Sequence, residues 1–263
     1  MPLSCNTAWL STLKTIMLNG NTVQPRGMLT YEIPQHTVRV DMRQPVLSLA
    51  ERGLSYTFMA AEAFWILSGD TTVAGIAPFN KNIAKFSDDG ETFYGSYGPR
   101  IHAQIDYVVG ALLNDPDSRQ AGLTIWIQNP KPSRDIPCTV AIWFQVRDNK
   151  LNVHVFMRSS DVWLGLPYDI FNFSMLGHAV TTQLRGSLLF AGLEPGILYL
   201  TAASSHLYES NREAAIKVID SVGTAFPQAK TPDRMFKETN FLMGHLNALR
   251  TAPHNSPLRW WNV

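Results

Sequence analysis

Cys138 follows Pro137 at the head of a β-forming run, with Arg158 twenty residues later and Asp169 thirty-one residues later. The thiolate is the nucleophilic form of cysteine, and cationic neighbours favour it. Arg134, Arg158 and an arginine from elsewhere in the chain are the candidates for that task. A lone cysteine in a strand is equally a small buried hydrophobe, and Arg134 alone also reads as a solvated loop charge. Glu62 stands in Ala61-Glu-Ala-Phe-Trp65, a charge inside an apolar helix. A buried carboxylate is costly unless paired or used, and burial raises its pKa toward the range useful for proton transfer. An exposed helix position is the plain alternative.

Other groups suit an anionic ligand. Arg158-Ser-Ser-Asp161 combines a guanidinium fork with hydroxyls, which matches phosphate oxygens; a strand-end turn explains it as well. Arg26, beside Gly27, either reaches a phosphate or faces water. Asn114-Asp-Pro-Asp-Ser-Arg119 has the composition of a turn at a helix end. His206 and Tyr208 alternate onto one face of an extended segment. Asp169 either reads a ligand or caps the helix expected near Phe171. No Gly-rich phosphate loop is present, and no His or Cys spacing fits a zinc site.

These groups need a scaffold. Helices are expected over about 8–18, 55–68 and 171–185, the last apolar on all sides and therefore buried. Val38–Met42 and 197–202 read as strands, and 123–128 alternates with period two. Residues 139–146 and 151–157 form a hairpin around Asp148-Asn-Lys150, with Leu151, Val153, Val155 and Met157 on one face. Ser210 and Glu213 form a capping box before a further helix. The class is α+β, a large sheet covered by helices in one domain spanning 1–263.

Composition narrows the function classes. The chain is 45% hydrophobic and 16% charged, with net charge +1. That balance supplies a large core, fits burial of surface against a second copy, and argues against nucleic-acid binding. Cys5 and Cys138 lie far apart, which favours two free thiols over a disulfide. No apolar run approaches a membrane span and no signal peptide is evident, so a cytoplasmic location is expected, the host cytoplasm if the chain is phage-encoded.

Taken in order, the segments resemble the thymidylate synthase family along nearly the whole chain. Glu62-Ala-Phe-Trp65 with Gly69-Asp-Thr71, Tyr97-Gly98, Asn114–Arg119, Pro137-Cys138, Arg158-Ser-x-Asp161, Leu164-Gly-Leu-Pro-Tyr-Asp-Ile170 and Ser205-His-Leu-Tyr208 are similar to that family's successive motifs. The resemblance implies a sheet-face homodimer in which Arg119 reaches the partner's active site; Gln120 replaces a second arginine expected there. It implies a nucleotide held by Arg26, Arg119, Arg158 and Ser159 at phosphate, by His206 and Tyr208 at the sugar and by Asp169 at the base, with Asp161 a further substrate contact. Cys138 would add to C6 of the pyrimidine, with Glu62 handling water and protons. The one-carbon donor would be 5,10-methylenetetrahydrofolate, against Ile101, Asp161, Leu164, Gly165, Tyr168 and Val263.

Departures from the family pattern carry further expectations. Asp169 replaces the asparagine that reads uracil. A carboxyl accepts from cytosine N4 and shares a proton with N3, which points to dCMP. Ile101 stands where a shielding tryptophan is usual, Thr139 replaces a histidine, and Trp143 a glutamine. Together they suggest a pocket that admits water, so that dCMP receives a hydroxymethyl group, as in deoxycytidylate hydroxymethylases. Methyl transfer to dCMP and hydroxymethylation of CMP are the alternatives. Trp260-Trp-Asn-Val263 either folds over the folate or hangs free.

Overall fold

The computed structural model describes residues 3–222 and 239–252. In chain order the elements are α1 (Cys5–Asn19), β1 (Asn21–Val23), β2 (Thr30–Asp41), α2 (Tyr56–Leu67), α3 (Val73–Ile76), α4 (Gly98–His102), α5 (Ile105–Asn114), β3 (Gly122–Thr124), β4 (Thr139–Arg147), β5 (Lys150–Met157), β6 (Ser160–Asp161), α6 (Leu166–Leu184), β7 (Glu194–Tyr208), α7 (Arg212–Val222) and α8 (Thr239–Thr251). Among the described residues, no helix is long and apolar enough to cross a membrane.

The strands form one mixed sheet in the order β1-β2-β7-β5-β4-β3, with β6 pairing to β7. β4 and β5 close as a hairpin, with Arg147 opposite Lys150. Asp148 and Asn149 between them take φ of 51° and 57°, the left-handed pair a tight two-residue turn requires. β5 and β7 run parallel, so a crossover must join them, and α6 is that crossover. The inward set Leu151, Val153, Val155 and Met157 is buried as its alternation predicts. α1 and α6 pack on this face. A second apolar cluster joins α2, α6 and α8 through Met59, Phe171, Met175, Leu242 and Leu246. The opposite face is open among the described residues: Phe156 is 44% exposed and Val140 36%. Among the described residues, helices therefore cover one face of the sheet, not both.

Several local expectations change. β2 and β7 run well beyond the predicted 38–42 and 197–202. Pro34, Gln35 at φ 50°, Pro195 and Gly196 interrupt their apolar alternation without ending the ladder. Over 123–128 the strand stops at Thr124. Ile125 and Trp126 both donate to the Val140 carbonyl at 3.0 Å, which ends regular pairing. α6 starts at Leu166, five residues early, because Pro167 in the first turn needs no N–H partner. Asp169 thus lies inside the first turn and is not the cap. α7 starts at Arg212, leaving Ser210 in a preceding 3-10 turn; Glu213 pairs with Lys217 at 2.7 Å in place of the expected capping box.

Candidate active site

Cys138 lies immediately before β4, at the end of the sheet where β5, β6 and β7 terminate. Ligands of sheets with parallel strands favour that end. The Cys138 carbonyl accepts the Arg158 N–H at 2.8 Å. The Arg158 guanidinium donates to the Pro137 and Ile136 carbonyls, both at 2.9 Å. Arg158 therefore fixes the cysteine segment and keeps other N–H groups for a ligand. Burial pushes the half-buried Cys138 thiol up. Arg158 and Arg26 oppose this, while Asp169 and Asp135 add to it. The expected net lowering is corrected: desolvation outweighs the cations in the free protein. Arg134 takes no part. Its guanidinium donates to the Ser87 carbonyl and pairs with Asp88 at 3.5 Å, making a loop clasp.

Two further acids gather around Asp169, the one of the three that reaches the thiol. Glu62 projects from α2 and accepts from Asn172 Nδ2 at 2.7 Å. Burial pushes its carboxyl up to about 7, against the opposing pull of that hydrogen bond. Asp169, on α6, is held well above the carboxylate range by burial, then by Glu62 and Asp161. Asp161 is also raised, mainly by burial. Its Oδ1 accepts from Trp163 N–H at 2.8 Å and Leu164 N–H at 2.9 Å, while buried Oδ2 has no hydrogen-bond partner. At neutral pH the cluster therefore holds exchangeable protons, whereas solvated carboxylates would be stripped of theirs.

Arg26, His206 and Tyr208 form the rim. Arg26 Nη2 donates to the Tyr208 hydroxyl at 3.4 Å from a backbone turn with φ 53°. His206 packs edge-on to Tyr208 at 5.1 Å and faces Asp161 in the β6–β7 register. Ser159 adjoins Arg158, partly exposed. Arg119 is brought to none of these; it is exposed ahead of β3. The turn leading into α6 presents exposed Leu164, then Gly165, where an added Cβ would sit 3.4 Å from Asp169 Oδ2. Tyr168 accepts from Ser55 N–H at 3.3 Å and packs edge-on to Phe58. Asp161 Oδ2 offers a buried acceptor, and Leu164 and Tyr168 apolar surface, so this wall fits an amino-bearing fused ring such as a pterin. Val263 lies outside the described residues. Among the described residues no His, Cys, Asp and Glu side chains cluster as a metal site.

The three departures read as opening the pocket fall in different places. Ile101 is 3% exposed inside the core. Trp143 lies on the outer face, edge-on to Phe156, its indole donating to the Arg119 carbonyl at 3.3 Å. Only Thr139, fully buried with its hydroxyl unpartnered, adjoins the nucleophile. Trp143 therefore lends no support to water entry.

Three residues join the site without having been singled out from sequence. The Tyr97 hydroxyl accepts from Thr139 N–H at 3.3 Å and is held protonated by burial, then by Cys138 and Asp169. Asn172 follows Asp169 by three positions, one helical step on the same face. Arg52 stacks 4.3 Å over the Trp163 ring and donates to its carbonyl, bracing the Asp161 turn. The available signals were a tyrosine in a Tyr-Gly motif and a polar residue in an apolar helix.

The thymidylate synthase family pattern matches residues 7–247. The chain is 30% identical over 233 residues to the deoxyuridylate hydroxymethyltransferase of Bacillus phage SP01, covering 79% of this chain and 58% of that protein. A protein of the same name from Pseudomonas phage M6 is 29% identical, covering 76% and 58%. The thymidylate synthase of Buchnera aphidicola subsp. Schizaphis graminum (strain Sg) is 26% identical, covering 87% and 90%. The chain thus spans little more than half the length of the phage relatives. With the motifs in order and the family pattern covering residues 7–247, the chain belongs to the thymidylate synthase family.

Proposed function

We propose that the chain, as one catalytic domain over 1–263, hydroxymethylates C5 of dCMP. 5,10-Methylenetetrahydrofolate, when bound, supplies the one-carbon unit. Asp161, Leu164, Gly165 and Tyr168 hold that group on one wall. Arg26, Arg158 and Ser159 take the nucleotide phosphate, and His206 and Tyr208 the sugar. Cys138 adds to C6, which makes C5 nucleophilic, and Glu62 moves protons to and from water. Arg119 completes the phosphate site of a second copy docked on the open sheet face.

The observation that carries the base assignment is Asp169, an acid held above its usual pKa beside Cys138 and Glu62. A neutral carboxyl donates to cytosine N3 and accepts from N4. When charge develops as the thiol adds, that proton passes to N3 and leaves an ion pair. A neutral acid also matches uracil, whose O4 accepts and whose N3–H donates; an ionised one accepts from N4 of cytosine or N3 of uracil and opposes a bare acceptor on either base. A mismatched buried polar contact costs about 1–3 kcal/mol, roughly five- to a hundredfold or more. The phage relatives' names favour a second reading, hydroxymethylation of dUMP. They also favour hydroxymethyl over methyl as the transferred group.

Asp169→Asn decides between the bases. On the dCMP reading the kcat/KM ratio swings toward dUMP by about tenfold or more. An unchanged preference for dCMP would refute the base assignment, and a wild type that already prefers dUMP would establish the second reading.

A further inference from the structure

Asn172 stands between the two proton-bearing parts of the site. It shares a face of α6 with Asp169, three residues apart, and reaches across to α2 to donate from Nδ2 to Glu62 Oε2 at 2.7 Å. Only 6% of it is exposed. Its other pole, Oδ1, is buried with no hydrogen-bond partner. Buried amide oxygens are normally satisfied, and one that is not costs stability. An apolar side chain in this helix would avoid that cost, as its neighbours Phe171 and Phe173 do. Asn172 therefore presents an acceptor beside the carboxylate that its own donor fixes.

Resting on the one-carbon transfer proposed above, we infer that Asn172 is a positioning residue for the water that completes the reaction. Nδ2 holds Glu62 with its second oxygen free, and Oδ1 accepts one hydrogen of the water while Glu62 accepts the other. In that step the water oxygen forms a bond to the exocyclic methylene carbon attached at C5. One water proton passes to Glu62. The methylene π pair moves to C5, re-forms the C5–C6 double bond and expels Cys138 as thiolate. A water held by two acceptors has its lone pairs turned outward, which an attack on carbon requires.

Asn172 also bears on the proton affinity of Glu62. Its hydrogen bond is the one influence that opposes burial there. The titratable neighbours in electrostatic contact with Glu62 are Asp169 and Tyr168, both on α6. α8, also packed on α2, brings His245 and Arg250, and Arg250 lies over Phe64.

The test follows Glu62 directly. Carbon-13 NMR titration of glutamate-labelled protein, with the Glu62 signal assigned by Glu62→Gln, requires no turnover and so stands even if the one-carbon reading fails. Asn172→Leu should move the Glu62 midpoint upward by about one pH unit or more. Asn172→Asp, which keeps the side-chain shape and replaces the donor with an acid, should move it the same way and serves if the leucine variant does not fold. Hydroxymethyl formation on dCMP should fall at least tenfold in kcat in each folded variant, with KM for dCMP changed less than about twofold. The rising limb of its pH profile should move up with the NMR midpoint. A Glu62 midpoint within 0.3 units of wild type in both variants, or a lost rate with an unmoved limb, would reduce Asn172 to a packing residue. A moved midpoint in a protein that modifies no nucleotide would uphold the Asn172–Glu62 coupling, refute the water role and overturn the one-carbon reading separately.

Discussion

Two groups of acids in this molecule have opposite fates. In the loop from Ser87 to Thr92, Asp88 and Asp89 lie at the surface, and hydrogen bonds pull both carboxyls down. Asp89 accepts from the Glu91 and Thr92 N–H groups at 2.8 Å, and Asp88 from Arg134 N–H at 3.0 Å. In the crevice Glu62, Asp161 and Asp169 are pushed up by burial, and Asp169 further by the other two. The loop acids are satisfied and hold the Ser87–Asp135 region in shape. The crevice acids are under-satisfied, with Asp161 Oδ2 and the Asn172 Oδ1 beside them lacking partners. Residue type does not separate structure from chemistry here; the supply of donors does.

The contrast can be broken experimentally, beginning at the crevice. Cys138→Ala should lower turnover by three or more orders of magnitude, the scale of losing a nucleophile, while nucleotide binding persists in calorimetry. Retained turnover would remove covalent addition from the account. Glu62→Gln should lower kcat by about a hundredfold to ten-thousandfold and erase a pH limb near 7, the value to which burial raises Glu62. A limb that survives in this variant belongs to another group.

A smaller effect concerns Asp169. Its raised pKa means the neutral form dominates below that value and the ionised form above it. Only the neutral form can give a proton to cytosine N3 while accepting from N4. kcat/KM for dCMP should therefore carry a falling limb set by Asp169 in wild type that Asp169→Asn lacks; a falling limb unchanged in that variant would contradict the shared-proton contact. The smallest effect on activity belongs to the loop. Asp89→Ala should leave turnover within about twofold and lower Tm at pH 7. Because the folded-state pKa of Asp89 is depressed, its stabilisation is complete above the unfolded value and is lost as pH falls through the folded one. The Tm difference should begin to shrink below about pH 4. A gap that widened in acid would contradict this assignment.

Much of this contrast was legible in the sequence, and the reasons it was not all legible are physical. Cys138, Arg158, Glu62 and Asp169 stood out through the order of the family's motifs, since each one alone also fits a structural role. The hairpin at Asp148-Asn149 was readable because Asp and Asn tolerate the left-handed backbone that such a turn then takes. Net pKa direction at Cys138 was not readable, because proximity of arginines is visible in sequence while depth of burial is not. Trp143 was misplaced for a related reason. Motif alignment gives order along the chain, whereas its face depends on how β4 lies at the open side of the sheet. The start of α6 was set too late because Pro167 looks like a break but suits a first turn.

The most direct test of the account is product mass analysis of purified protein incubated with 5,10-methylenetetrahydrofolate and, in separate reactions, dCMP, CMP and dUMP. The account predicts a hydroxymethyl adduct on dCMP with release of tetrahydrofolate. A methyl product with dihydrofolate would contradict the water-capture step and leave the roles of Cys138 and Asp169 standing. No modified nucleotide in any of the three reactions would contradict the enzymatic account itself.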